Sequence, residues 1–122
     1  MADAPARRLL IIVTSNGNGD RATIAFTLAN AALSVGMEVG VFLASDGVDL
    51  VRAGSWELSH VRPFAPLAEL IDGLTKKGGK VWCCGSCLAH RGLEQESMRD
   101  IVVSGIGQVV EWIKAGAQTV CL

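Results

Sequence analysis
The first continuous apolar run of the chain, Leu9 to Val13, breaks at the polar stretch TSNGNGD and is followed by alanine-rich residues 22–35. That order predicts strand, loop and helix, with Asp20 as N-cap and Gly36 as the stop. Residues 38–44 supply a second apolar run, which leads into the turn SDGVD. From 45 to 65 no period is sustained, and the reading is a short helix followed by a surface loop. Leu67, Leu70, Ile71 and Leu74 fall at i, i+3, i+4 and i+7, the spacing of one helix face, and KKGGK closes that helix. Strands are expected at 81–84, 101–103 and 119–122, with a last helix marked by Ile106, Val109, Val110 and Ile113. Apolar strands alternating with helices imply an α/β fold in which a mostly parallel, five-stranded sheet is covered on both faces.

Composition narrows the possibilities. The 122 residues are read as a single domain, with residues 1–7 a flexible N-terminus. Eleven basic residues stand against twelve acidic ones, for a net charge of −1, and no basic stripe exists to neutralise a phosphate backbone. Nucleic acid is not an expected partner. The early run RRLLIIV is far too short to span a bilayer, so no membrane partner is expected and the cytoplasm is the expected compartment. Under its reducing conditions four cysteines point to metal binding, catalysis or burial rather than to a disulfide framework.

The chemistry concentrates in KVWCCGSCLAHRG, residues 80–92, where three of the four cysteines fall within five positions. In a parallel sheet reactive groups gather where strands end and helices begin. Cys84 closes the third strand, and GSCLAHR can form the first turns of a helix whose free amides favour a nearby anion such as a thiolate. Cys84 and Cys87 form a CxxC pair, with both sulfurs on one side of a helical turn. Cys83 should point to the opposite face and into packing, and Cys121 should be buried in the apolar terminal strand. A structural zinc needs four ligands, and beyond one CxxC only His60 and His90 are on offer, so no metal is expected, and chemistry carried by the thiol itself requires no organic cofactor. A thioredoxin-like disulfide reductase, or thiols with only a structural role, are the other readings of the cluster.

Supporting roles are open to Gly85, Ser86, His90, Arg91 and Gly92: a cation at 90 or 91 can stabilise a thiolate, and glycines at 85 and 92 allow close backbone approach. The loop Ser15, Asn16, Gly17, Asn18, Gly19 can cradle an anion or nucleotide phosphate on its amides. It lacks the remainder of a P-loop or of GxGxxG, and the plainer reading is a turn in which glycines take positive φ and asparagines bond their own backbone. Trp56 and His60 either cover the thiol or lie on the surface. Val109 and Trp112 are apolar residues left over for subunit contacts.

In order and spacing these segments resemble the DsrE/DsrF/TusD sulfur-relay family. The resemblance rests on CGSCLAHRG at 84–92, SGIGQVVEWIKAGAQTVCL from 104, SDGVDLV at 45–51, PLAELIDGL at 66–74, and the polar first loop before an alanine-rich helix. It implies a three-layer α/β/α domain assembled into trimers or hexamers. It also implies that Cys84 accepts sulfane sulfur as a persulfide from a donor protein and passes it to an acceptor protein. Cys87 departs from the single-cysteine pattern of the simplest relay proteins and can resolve such a persulfide, releasing sulfide and leaving a disulfide. The alternatives are CxxC thiol-disulfide exchange and an anion- or nucleotide-binding module using the 15–20 loop.

Overall fold
The computed structural model describes residues 7–52, 55, 59–94 and 101–122. Five strands, β1 (Arg8–Val13), β2 (Glu38–Leu43), β3 (Lys80–Cys84), β4 (Val102–Ser104) and β5 (Gln118–Cys121), form one sheet in the order β4-β3-β2-β1-β5, with every pairing parallel. The connections are α1 (Arg21–Ser34), α2 (Leu67–Lys76), α3 (Gly85–His90) and α4 (Ile106–Lys114), with a 3-10 helix at Ser45–Val51 after β2. Helices lie on both sides of the sheet, the expected α/β arrangement. No helix among the described residues is long and apolar enough to cross a membrane.

The register sorts the side chains. Arg8, Gly40 and Trp82 share one face of the sheet, and Val41, Val81 and Cys83 the other. On the first face α4 delivers Trp112, whose ring meets Trp82 edge-on at 5.2 Å between centroids, while the Arg8 guanidinium lies 4.8 Å over the Trp112 ring. Gly40 makes room for this pair: a Cβ there would stand 2.4 Å from Trp82. α1 is tied to α2 by Asn30, whose Nδ2 donates to the carbonyls of Phe26 and Leu70. Central strands β1 and β2 are almost wholly buried, which is why they read as unbroken apolar runs.

Several expectations change. β4 starts one residue later than its apolar pattern suggests, and β5 both starts and ends one residue earlier. Asp20 precedes α1, but its backbone is already helical and its side chain makes no capping bond. Cys121 is exposed, not buried, because β5 is an edge strand and its face is incompletely covered. Val109 and Trp112 are spent within the chain as buried residues of α4, and the apolar residues that β4 and α4 leave at least half exposed are instead Val102, Val103, Ile106, Val110 and Ile113. Residues 1–6 and Trp56 lie outside the described residues.

Candidate functional site
Because all strands run the same way, the ends of β1, β2 and β3 open on one rim of the sheet. At the β3 end Cys84 is the last strand residue and also the N-cap of α3, with extended backbone (φ −67°, ψ 115°). The switch from strand to helix at this residue puts Gly85 at the first helical position and Cys87 at the third. Gly85 lies close to β4: a Cβ there would stand 3.3 Å from Val103 Cγ1, a tight contact that the valine side chain would have to relieve by a few tenths of an ångström.

The thiols have distinct surroundings. Cys83 is fully buried, and its pKa is pushed up to about 12 from 9.0, chiefly by loss of solvent and secondarily by Cys84 and Cys87. It is a core residue. Cys84 retains 9% of its surface and Cys87 is half-buried, packed against the core on one side. All four cysteines are free thiols.

Cys87 has a partner that sequence reasoning missed. The backbone N–H of Ser45 donates to Cys87 Sγ at 3.3 Å, and Ser45 alone among the described non-glycine residues has positive φ, 53°. The next residue, Asp46, receives Arg91 Nη2 at 3.0 Å. Two contacts therefore join the turn after β2 to α3. That turn is firmly seated, because Ala44 donates its N–H to Val13 and Gly47 donates to Ala44. A Cβ on Gly47 would fall 2.0 Å from the Val13 carbonyl oxygen. The available signal was SDG at the carboxyl end of a neighbouring strand, a turn whose glycine admits no side chain.

The remaining candidates are placed as follows. Arg91 is committed to Asp46, while Ser86 and His90 face solvent. Close backbone approach is not what Gly92 supplies, since nothing lies within 4 Å of its Cβ position. Its φ is +66°, and it ends α3: Gly92 N–H bonds the Ala89 carbonyl, Leu93 N–H bonds that of Leu88, and both leucines are buried. His60 bonds the nearby Phe64 carbonyl at an exposed turn.

In the first loop Ser15 Oγ donates to the Leu122 carbonyl at 2.6 Å, the Asn18 amide donates to Asn16 Oδ1, and Ser59 Oγ donates to the Gly17 carbonyl. Neither Gly17 nor Gly19 takes the positive φ expected of them; Gly17 is closely surrounded, with the Ser55 carbonyl oxygen 3.2 Å and Leu50 Cδ2 3.3 Å from its Cβ position. Among the described residues no three His, Cys, Asp or Glu side chains gather as a metal site.

Comparison with known proteins agrees with this architecture. An uncharacterized protein of Methanopyrus kandleri is 31% identical over 96 residues, covering 78% of this chain and 76% of that protein. One of Methanocaldococcus jannaschii is 26% identical over 91 residues, or 75% of this chain, which thus spans only 33% of that relative's length. Among solved structures, the ychN protein from E. coli superposes with a TM-score of 0.79 at 14% identity, over 97% of this chain and all of that one. A conserved protein of unknown function from Bacteroides thetaiotaomicron gives 0.68 at 18% identity, over 94% of each chain. These two likenesses establish the fold. The model of the DsrE/DsrF-like family matches residues 7–122, and the chain belongs to that family.

Proposed function
We propose that this protein carries sulfane sulfur as a persulfide on Cys84, received from a donor protein and delivered to an acceptor. The observation that carries the reading is the position of Cys84: it closes β3 at the sheet rim and opens α3, in a chain of the DsrE/DsrF-like family. A thiol there can attack a sulfane donor as thiolate, forming an Sγ–S bond while the donor's leaving group departs with the electron pair. Its small exposure limits access to donors and acceptors that reach into the rim, which suits protein-to-protein transfer. We read the reducing cytoplasm as the setting in which the four thiols stay free. We further read the chain as a homo-oligomer, trimer or hexamer, in which Val102, Val103, Ile106, Val110 and Ile113 are covered by neighbouring copies.

A second reading, thiol-disulfide exchange, draws on the CxxC placement of Cys84 and Cys87 at the start of one helix. Intact-mass spectrometry after incubation with thiosulfate or polysulfide tests the first. A gain of about 32 Da that reductant removes and Cys84→Ser abolishes is the expected result. Loading unchanged by Cys84→Ser would overturn it.

A further inference from the structure
We propose that Cys87 is the resolving thiol of this site, converting a Cys84 persulfide into a Cys84–Cys87 disulfide with release of hydrosulfide. This rests on the reading of Cys84 as the sulfur carrier. Three observations support it. Cys84 is the N-cap of α3 and Cys87 its third helical residue, the two helix-start positions between which, in a capping box, each side chain reaches the other residue's backbone N–H, so that both side chains project around the same turn. Cys87 is also the more accessible of the two, so its sulfur is not sealed into the core.

The third observation is the hydrogen bond from Ser45. Sulfur is a weak acceptor, and a left-handed backbone at a serine is costly. The Ser45 N–H is nevertheless aimed at Cys87 Sγ by a turn anchored on Val13 and tied to α3 through Asp46 and Arg91. Ser45 is thus a positioning residue: its amide holds the Cys87 sulfur on the β2 side of the helix start.

The step balances as written. The Cys87 thiolate attacks Cys84 Sγ, a new Sγ–Sγ bond forms, and the Sγ–S bond of the persulfide breaks with its electron pair leaving on hydrosulfide. Cys87 is oxidised, the terminal sulfur is reduced to sulfide, and the proton lost by Cys87 passes to solvent. Return to the dithiol form requires an external dithiol reductant, which takes the disulfide's place by exchange. The site then reduces sulfane sulfur to sulfide, instead of only passing it on.

The test uses the full chain in a Cys121→Ser background, which removes the exposed thiol. It is loaded with polysulfide, freed of donor, and followed by intact mass and sulfide release, beside Cys87→Ser and Cys87→Ala. Expected in the parent are loss of the added sulfur, one sulfide per chain, and a final mass about 2 Da below the reduced protein, at a rate independent of protein concentration. Both Cys87 variants should keep the persulfide at least roughly tenfold longer. Urea melts of the variants separate this from misfolding. Equal persulfide lifetimes in parent and variants would overturn the proposal while leaving the carrier reading in place. Absence of any Cys84-dependent loading would overturn both.

Discussion

Raising the pH should weaken this fold through Cys83, by an amount the structure sets. The thiol is fully buried on β3, with a pKa of about 12 against 9.0 for an ordinary one. The unfolded chain therefore releases this proton first as pH rises. The contribution is constant below pH 9 and declines from there towards 12, because the folded state binds more protons than the unfolded state in that window. At pH 10 the loss relative to pH 7.5 is on the order of 1 kcal/mol, and it is governed by the unfolded thiol until the pH nears 12. Other groups also titrate there, so the quantity to measure is the difference between the parent and Cys83→Ala. Urea unfolding at pH 7.5 and 10 should show the parent losing on the order of 1 kcal/mol more than the variant, a difference in midpoint shift of roughly 0.3–1 M. The truncation itself costs stability at both pH values and cancels. If both proteins lose the same stability between the two pH values, the Cys83 thiol is not desolvated as described, and it returns as a candidate reactive group.

Three further outcomes are expected. Gly47→Ala places a Cβ 2.0 Å from the Val13 carbonyl oxygen, a backbone atom that cannot swing aside, so unfolding should show a loss of about 3 kcal/mol; a loss under about 1 kcal/mol would mean that the turn after β2 is not seated on β1. Gly92→Ala forces a side chain into φ +66° and should cost about 1 kcal/mol in the same assay, with a neutral result refuting its role as the stop of α3. For the partly exposed Arg91–Asp46 pair, a double-mutant cycle with alanine at each position should give a coupling of about 0.2–1 kcal/mol, and zero coupling would mean that the pair does not help join the two segments.

Legibility from sequence followed burial and locality. β1 and β2 were visible as apolar runs because both their faces are buried, and α2 because Leu67, Ile71 and Leu74 form one buried stripe. α4 was visible as a helix but misleading as a core element. Its apolar residues occupy more of the helix surface than the sheet covers, so the pattern did not say which would be left outside. Cys121 failed for a similar reason: an apolar strand at an edge is written in the same letters as one at the centre. Cys84 and Cys87 could be picked out because a strand end, a CxxC spacing and a helix start are all local features.

What the sequence determined by itself is therefore the alternation of strands and helices, the parallel sheet it demands, and the cysteine pair at the β3–α3 junction. These depend on the periods of burial and on chain-local spacing, which survive without coordinates. Only the tertiary structure decided what surrounds that pair. Ser45 is 42 residues from Cys87, and Asp46 is 45 from Arg91. They meet because β2 and β3 are parallel neighbours whose ends come level on the same rim. Strand order, and with it the choice of a seated turn as the neighbour of a thiol, is a property of packing between distant segments, and no local pattern encodes it.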